Sequence, residues 1–197
     1  AIVHVVRCFK DDNIVHVDGS VDPMRDIETI NLELIFSDLE VLKKRMEKTI
    51  KTARSGDKQS KAELAILEKL KAHLEDGKCV RTLDFTEDEA EFVRSLFLLT
   101  SKPVLYATNI SEDDVLSGNV ENDMVKSVEE YAKKEHSEVI PICASLEEQL
   151  SSLEEDEENE MLSEYGLESS GLDRLIQSSY KLLGLMSFLT AGPEEVR

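Results

Sequence analysis

The sequence predicts an α/β fold, in which a parallel sheet carries an inserted antiparallel α-helical coiled-coil hairpin. Three apolar runs have the pattern of strands covered on both faces: residues 1–9 (AIVHVVRCF), 104–107 (VLYA) and 139–143 (VIPIC). A helical segment separates the second run from the third, which gives the strand, helix, strand order of a parallel sheet. The long stretch between the first two runs has helical periodicity and predicts the hairpin.

The composition favours a globular protein from a reducing compartment. The chain has 197 residues, 33% of them charged, and its net charge of -19 argues against general attraction to phosphate backbones. Cys8, Cys79 and Cys143 are widely spaced and form no CxxC pair, so we expect a cytoplasmic location. No apolar run approaches the ~20 residues that span a bilayer, and we expect no membrane partner.

The first long insertion predicts two packed helices. Asp22 and Pro23 offer an N-cap followed by proline at the first helical position, so a long helix should begin there. Small or apolar residues then recur at alternating steps of four and three, at Ile35, Leu39, Leu42, Met46, Thr49 and Ala53. After a turn at residues 55–57 the stripe continues at Leu67, Leu70 and Leu74, as far as Gly77. We expect a first arm of about 27 residues, roughly 40 Å long.

The tip of this hairpin is basic although the chain is acidic. Eight basic residues stand against only two acidic ones between positions 43 and 61: Lys43, Lys44, Arg45, Lys48, Lys51, Arg54, Lys58 and Lys61. One interpretation is the solvated surface of a coiled coil. The other is an arm that approaches RNA, because phosphate contact requires only local positive charge. No aromatic residue interrupts this run, so base stacking is not indicated.

Further helices are predicted in the second half of the chain. Thr86 and Glu89 form a capping box, and the following helix should bury Val93, Leu96 and Phe97. An amphipathic helix is predicted at residues 119–134, with Val125, Val128 and Ala132 on its apolar side.

The end of the chain predicts one more helix. Ser170 can cap it, and its core stripe is expected at Leu172, Leu175, Ile176 and Leu183. A short apolar segment at residues 14–17 and an extended segment at residues 185–189 are also expected.

The stretch KPVLYATNISE, residues 102–112, predicts a buried strand that opens into a ligand site. In doubly wound α/β folds, ligands lie beyond the carboxyl ends of parallel strands, where Asn109 and Glu112 would project. An Asn amide both donates and accepts hydrogen bonds, whereas a carboxylate only accepts, so the pair can read the edge of a purine base. The alternative is an Asx turn that leads into a helix cap.

A second loop is expected at the same edge of the sheet. Ala144 and Ser145 follow the run at residues 139–143 and begin a turn into a helix. Their backbone N–H groups are expected to point into the same crevice as Asn109. A plain helix cap is the alternative.

Five segments in order resemble the YchF family of Obg-like ATPases. They are VHVVRCF at 3–9, VDPMRDIE at 21–28, KPVLYATNISE at 102–112, ICAS at 142–145 and FLTAGPEEVR at 188–197. The resemblance covers essentially the whole chain. It implies part of a translation-factor-class P-loop NTPase, with a G-domain-like parallel sheet, a coiled-coil insertion and a following TGS domain.

This resemblance divides the chain into four parts. Residues 1–22 would be a strand and connection of the G domain, and residues 23–82 the coiled-coil insertion. Residues 83–184 would complete the G domain with its base-recognition loops. Residues 185–197 would enter the TGS domain.

The resemblance also implies a ligand. In related GTPases the base-reading motif is NKxD, whose Asp accepts hydrogen bonds from guanine. Here the motif reads Asn109, Ile110, Ser111, Glu112, a change that the family associates with binding and hydrolysing ATP and accepting GTP more weakly. Ala144 and Ser145 match the second base-side loop. The implied contacts to ATP are therefore Asn109, Ile110, Glu112, Ala144 and Ser145.

The phosphate-binding groups of such an enzyme are absent from this sequence. Phosphoryl transfer requires a glycine-rich loop, its Lys, a Ser or Thr on Mg²⁺ and a metal-supporting Asp. Gly77 and Lys78 form a GK pair, but Cys79 replaces the Ser or Thr. The Mg²⁺ ligands would precede Ala1, so the resemblance assigns no catalytic residue and no metal ligand here. We expect this chain alone to be inactive.

Two functions follow from these observations. The first is part of an ATPase that associates with the ribosome or RNA through the basic hairpin. The second is a non-enzymatic interaction module, in which the hairpin docks a partner and Asn109 merely caps a turn.

Overall fold

The computed structural model describes residues 1–11 and 19–189. The segment predicted at residues 14–17 lies outside them, as does most of the segment at residues 185–197. The chain forms two compact units. One is drawn from Ala1–Val21, Val104–Ala132 and Ser137–Arg197, and the other from Asp22–Pro103 and Lys133–His136.

The second unit contains the predicted helical hairpin. Its first helix, α1 (Pro23–Arg54), begins where Asp22 accepts hydrogen bonds from the N–H groups of Met24 and Arg25, and α2 (Lys58–Glu75) follows. The arm has 32 residues rather than the expected 27, which corresponds to about 48 Å. Within the described residues, no helix is both long and apolar enough to cross a membrane.

The predicted stripe is the packed face of the hairpin. Ile35, Leu42, Thr49 and Ala53 are buried on α1, and Leu67, Leu70 and Leu74 on α2. Leu39 and Met46 are partly buried and pack against this core. Gly56 makes the turn with a φ of 95°, a left-handed conformation that glycine adopts without steric cost.

A short helix and a buried carboxylate complete this unit. The helix is α3 (Glu87–Ser95), which has the predicted capping box between Thr86 and Glu89. Asp38 on α1 is 1% exposed, and it accepts hydrogen bonds from the N–H groups of Leu99 and Thr100 and from Thr100 Oγ1. These bonds fasten α1 to the loop that leads back to the sheet.

The predicted burial of Phe97 is wrong. Val93 and Leu96 are buried, but Phe97 is 83% exposed. Helix α3 ends at Ser95, and Phe97 has a φ of 54°, so the chain has left the helical geometry on which the predicted periodicity depends.

The first unit contains the predicted parallel sheet. Its strands are β1 (Ile2–Arg7), β2 (Val104–Asn109) and β3 (Glu138–Ile142), in the order β1-β2-β3. Both pairs are parallel, and Asn109 lies opposite Arg7 on one side and Ile142 on the other. Strand β2 is the most buried of the three, as its continuous apolar run predicts.

Five helices accompany the sheet in sequence: α4 (Glu112–Leu116), α5 (Asp123–Lys134), α6 (Ala144–Leu150), α7 (Glu155–Glu164) and α8 (Gly171–Leu182). The apolar side predicted for α5 is confirmed, because Val125, Val128 and Ala132 are buried. The core stripe predicted for α8 is wrong for the described chain. Leu172, Ile176 and Leu183 are 58%, 47% and 48% exposed. Periodicity identifies residues that share a helix face, but not what covers that face.

Candidate functional site

A cavity of about 460 Å³ opens at the carboxyl ends of β1 and β2. It is lined by Phe9, Lys10, Asp11, Asn109, Ile110, Ser111, Glu112, Asp113 and Ser145. Four of the five predicted site residues are among them, and Ala144 contacts the lining through Asn109. The volume lies within the range of about 300–1,000 Å³ that is usual for small-molecule sites.

Asn109 is oriented by the neighbouring loop. Its Oδ1 accepts a hydrogen bond from the backbone N–H of Ala144 at 3.0 Å. Because a backbone N–H can only donate, the carbonyl end of the amide must face Ala144. The amide nitrogen, Nδ2, is thereby the end that can donate to a ligand. The N–H of Ala144, expected to face the crevice, is used to hold Asn109.

The helix cap proposed as the alternative exists, but Asn109 does not form it. Ser111 is the N-cap of α4, and its side chain accepts a hydrogen bond from the N–H of Asp114 at 3.1 Å. Asp114 in turn accepts from the hydroxyl of Ser111 at 2.6 Å. The Asn109 side chain therefore does not cap α4.

Ile110 has a buried side chain and an occupied N–H. Its side chain is 2% exposed, and its N–H donates to the carbonyl of Ile142 at 2.8 Å. This bond continues the β2–β3 pairing past the end of the strands. The backbone carbonyl is consequently the group of Ile110 through which a ligand could be recognised.

Glu112 is the first residue of α4, and its carboxylate is held from outside the cavity. Oε1 accepts a hydrogen bond from the Tyr165 hydroxyl at 2.5 Å, and Oε2 accepts one from Gln149 Nε2 at 3.4 Å. The hydrogen bond to Glu112 raises the pKa of Tyr165 above its ordinary value, and burial and the Glu112 charge act in the same direction. Tyr165 is therefore a protonated donor at neutral pH.

The cavity wall that follows β1 consists of residues that were not predicted to belong to the site. Phe9, Lys10 and Asp11 line the cavity. Arg7 supports this wall: its Nε donates to the carbonyl of Phe9 at 3.2 Å, and its guanidinium lies 4.6 Å from the Phe9 ring centroid. The predicted parallel sheet could have indicated this wall, because parallel pairing of β1 with β2 places the residues after Arg7 beside those after Asn109.

A second residue ties these loops together. Asn122 donates through Nδ2 to the carbonyl of Cys8 at 2.9 Å and to Asp114 Oδ2 at 3.3 Å. Its Oδ1 accepts hydrogen bonds from the N–H groups of Met124 and Val125, in the first turn of α5. The Cys8 N–H donates to the carbonyl of Asn109 at 2.7 Å. The walls after β1 and β2 are thus cross-linked by hydrogen bonds.

The hairpin unit has a larger groove, of about 940 Å³, that is a weaker candidate. Both basic and acidic side chains line it, and some already pair with each other, such as Arg45 with Glu63 at 3.1 Å. The smaller cavity has convergent polar groups at the ends of parallel strands, where ligands of such folds bind. Across residues 1–11 and 19–189, no cluster of three or more His, Cys, Asp or Glu side chains could hold a metal ion.

The chain is similar over its whole length to proteins of one family. It is 50% identical over 197 residues to the Ribosome-binding ATPase YchF of Bacillus subtilis (strain 168), a match that covers 100% of this chain and 54% of the relative. The protein of the same name from Escherichia coli O157:H7 is 45% identical, with coverage of 100% and 53%. No family model matches the chain.

A solved structure agrees with these relatives. The Schizosaccharomyces pombe YchF GTPase has a TM-score of 0.84 and 35% identity to this chain, covering 100% of it and 53% of the solved chain. That agreement supports both the α/β fold with three parallel strands and the long helical pair. The chain spans about half the length of the curated relatives it matches, and over that half it is similar throughout to proteins of the YchF family.

Proposed function

We propose that this segment forms the base-recognition edge of an ATP site in a longer protein that hydrolyses ATP and binds GTP more weakly. The observation that carries the proposal is the shared cavity of Asn109 and Glu112 at the ends of parallel strands, with Asn109 already oriented by Ala144. The bacterial relatives are named ATPases and the yeast relative a GTPase, which supports a purine nucleotide as the ligand.

The cavity offers groups that complement adenine. Asn109 Nδ2 is a donor for a ring nitrogen, and the carbonyl of Ile110 is an acceptor for the exocyclic amino group. Phe9 adds an aromatic ring to the wall, against which a flat base can stack. Ser145 is exposed at the rim and would complete the second base-side loop.

The reacting part of the nucleotide would be held elsewhere in the longer protein. Bound ATP with Mg²⁺ would supply the phosphoryl group, and the glycine-rich loop that holds it is not among the 197 residues of this sequence. The residues of this chain bind and orient the base.

Nucleotide affinity tests the assignment. In the full-length protein containing this segment, Asn109→Ala should weaken ATP binding by roughly tenfold, because it removes both the donor and the group that Ala144 holds. Asn159→Ala is the matched control, since Asn159 is exposed on α7 and its side chain donates to the carbonyl of Glu155, one turn earlier on the same helix. Equal ATP affinity in the wild type and the Asn109 variant, measured by calorimetry, would contradict the proposal.

The hairpin is the part that would contact the ribosome or RNA. All eight predicted basic residues are exposed. Arg45 pairs with Glu63, but in the described part of the chain the other seven form no ion pair. A cluster of exposed, uncompensated charges suits phosphate groups, whose contact makes binding salt-dependent. Ribosome association would also accord with the proposed cytoplasmic location.

A further inference from the structure

Glu112 lines the cavity, and its carboxylate accepts hydrogen bonds from two side chains. The cavity lining in the described chain includes Glu112 but neither Tyr165 nor Gln149. Tyr165 is the C-cap of α7 and Gln149 lies on α6, and each donates to a different oxygen of Glu112. Both hydrogen bonds therefore hold the carboxylate on two side chains that do not line the cavity.

The orientation of this carboxylate matters differently for the two purines. Guanine presents two donors, N1–H and the 2-amino group, and a free carboxylate accepts both at once. Adenine presents the lone pair of N1 at the corresponding edge, which a carboxylate oxygen repels. A carboxylate that is turned away no longer accepts hydrogen bonds from guanine, and it no longer repels N1 of adenine.

We propose that Tyr165 and Gln149 are positioning residues that set base specificity by holding the Glu112 carboxylate away from the base. The inference rests on the proposed function of the cavity and deepens it. Glu112 alone does not explain a preference for adenine, since a longer carboxylate can still reach guanine. Its two donors restrain it. Gln149 lies in α6 and Tyr165 at the end of α7, outside the four-residue motif that runs from Asn109 to Glu112.

The test is the ratio of the GTP and ATP dissociation constants in the full-length protein. Tyr165→Phe and Gln149→Met remove the donors while keeping side-chain volume close to the original. The double variant should bind GTP better, so that the preference for ATP falls by roughly tenfold. Tyr180→Phe and Gln177→Met are matched controls, because both residues are exposed on α8 and lie outside the cavity lining. Their ratio should equal that of the wild type.

A second measurement separates positioning from a general structural effect. In a Glu112→Gln background, removing Tyr165 and Gln149 should leave the nucleotide ratio unchanged, because the charged acceptor is gone. Parallel weakening of ATP and GTP in the double variant, or an unchanged ratio, would overturn the inference. Such a result would leave the proposed function intact if the wild type binds ATP and Asn109→Ala weakens that binding. Absence of nucleotide binding by the wild type would overturn both.

Discussion

The side-chain carbonyl of Asn109 and the backbone N–H of Ala144 form a 3.0 Å hydrogen bond across the ends of β2 and β3. The two residues are 35 positions apart in sequence and belong to two different loops. Their bond makes the loops one unit, since the second loop fixes the direction in which the first presents its amide nitrogen. In the proposed site, Ala144 would therefore act on a ligand through Asn109.

Removing this one N–H should weaken nucleotide binding without unfolding the helix. Ala144 is the first residue of α6, where proline is well tolerated, and the preceding Cys143 is already extended with φ of -119° and ψ of 102°. Ala144→Pro should reduce ATP affinity roughly fivefold, the equivalent of one neutral hydrogen bond worth ~1 kcal/mol. Calorimetric titration of the full-length protein measures the change.

Glu155→Pro provides the control for Ala144→Pro. Glu155 is the first residue of α7 and lies outside the cavity lining in the described chain. Its proline variant should bind ATP as the wild type does. If Ala144→Pro has wild-type affinity while Asn109→Ala loses affinity, the amide does not need the Ala144 bond to be oriented.

Tyr165 should ionise at a higher pH than an ordinary tyrosine, whose pKa is about 10. The hydrogen bond to Glu112 raises the pKa of Tyr165 because it favours the protonated phenol. The Tyr165–Glu112 hydrogen bond therefore contributes its whole share of the free energy of unfolding below the pKa of tyrosine in the unfolded chain. This contribution is lost as the pH rises through the higher pKa of Tyr165 in the folded protein. Phenolate absorbance, taken as the difference between wild type and Tyr165→Phe, follows this titration.

Glu112→Gln should return the pKa of Tyr165 toward its ordinary value, because the variant removes the negative charge and keeps the side-chain shape. A Tyr165 whose pKa is the same in the wild type and in Glu112→Gln would show that the contact with Glu112 does not persist in solution.

Local sequence patterns were sufficient for the elements whose partners are close in sequence. Asp22 caps α1 because its side chain reaches N–H groups only two and three residues ahead. The same holds for Thr86 and Glu89. Asn109 and Glu112 were predicted to lie in one site because polar residues directly follow a buried apolar run, and both line the same cavity.

The remaining features depend on contacts that no local pattern encodes. Tyr165 meets Glu112 across 53 positions, and its sequence neighbours give no sign of this. The exposed apolar stripe of α8 and the left-handed Phe97 are cases in which a local pattern predicted burial and the structure shows exposure. In both cases apolar spacing was correct as a description of the sequence, but burial was decided by where the helix ends or by what packs against it.

Asp38 should be a major determinant of the stability of the hairpin unit. It is almost fully buried and satisfies three donors on Leu99 and Thr100. Asp38→Ala leaves these donors without an acceptor and should lower the free energy of unfolding by about 3 kcal/mol. Asp38→Asn keeps one carbonyl oxygen and should cost less. Urea denaturation followed by circular dichroism measures both.

The neighbouring Glu40 is the control for Asp38, since it is exposed on the same helix. Glu40→Ala should change the free energy of unfolding by less than about 0.5 kcal/mol, as is usual at exposed sites. An Asp38→Ala variant as stable as Glu40→Ala would mean that water replaces the lost acceptor.

Reversing charge at the hairpin tip should abolish salt-sensitive association with ribosomes. The variant carries glutamate at Lys43, Lys44, Lys48 and Lys51. Each phosphate contact that is lost removes about 0.9 from the slope of log affinity against log salt, so the remaining binding should depend little on salt. Co-sedimentation with ribosomes at increasing salt measures both the affinity and this slope.

The control for the hairpin variant must change the net charge equally, because added negative charge alone repels RNA. It carries glutamate at four exposed lysines away from the tip: Lys71, Lys78, Lys126 and Lys134. Lys71 and Lys78 pair with nearby acids at the surface, where such pairs contribute little to stability. A specific arm predicts a steep loss of ribosome association in the tip variant and a small loss in the control. Equal losses would attribute the effect to overall charge, and the basic residues would then be only the solvated surface of a coiled coil.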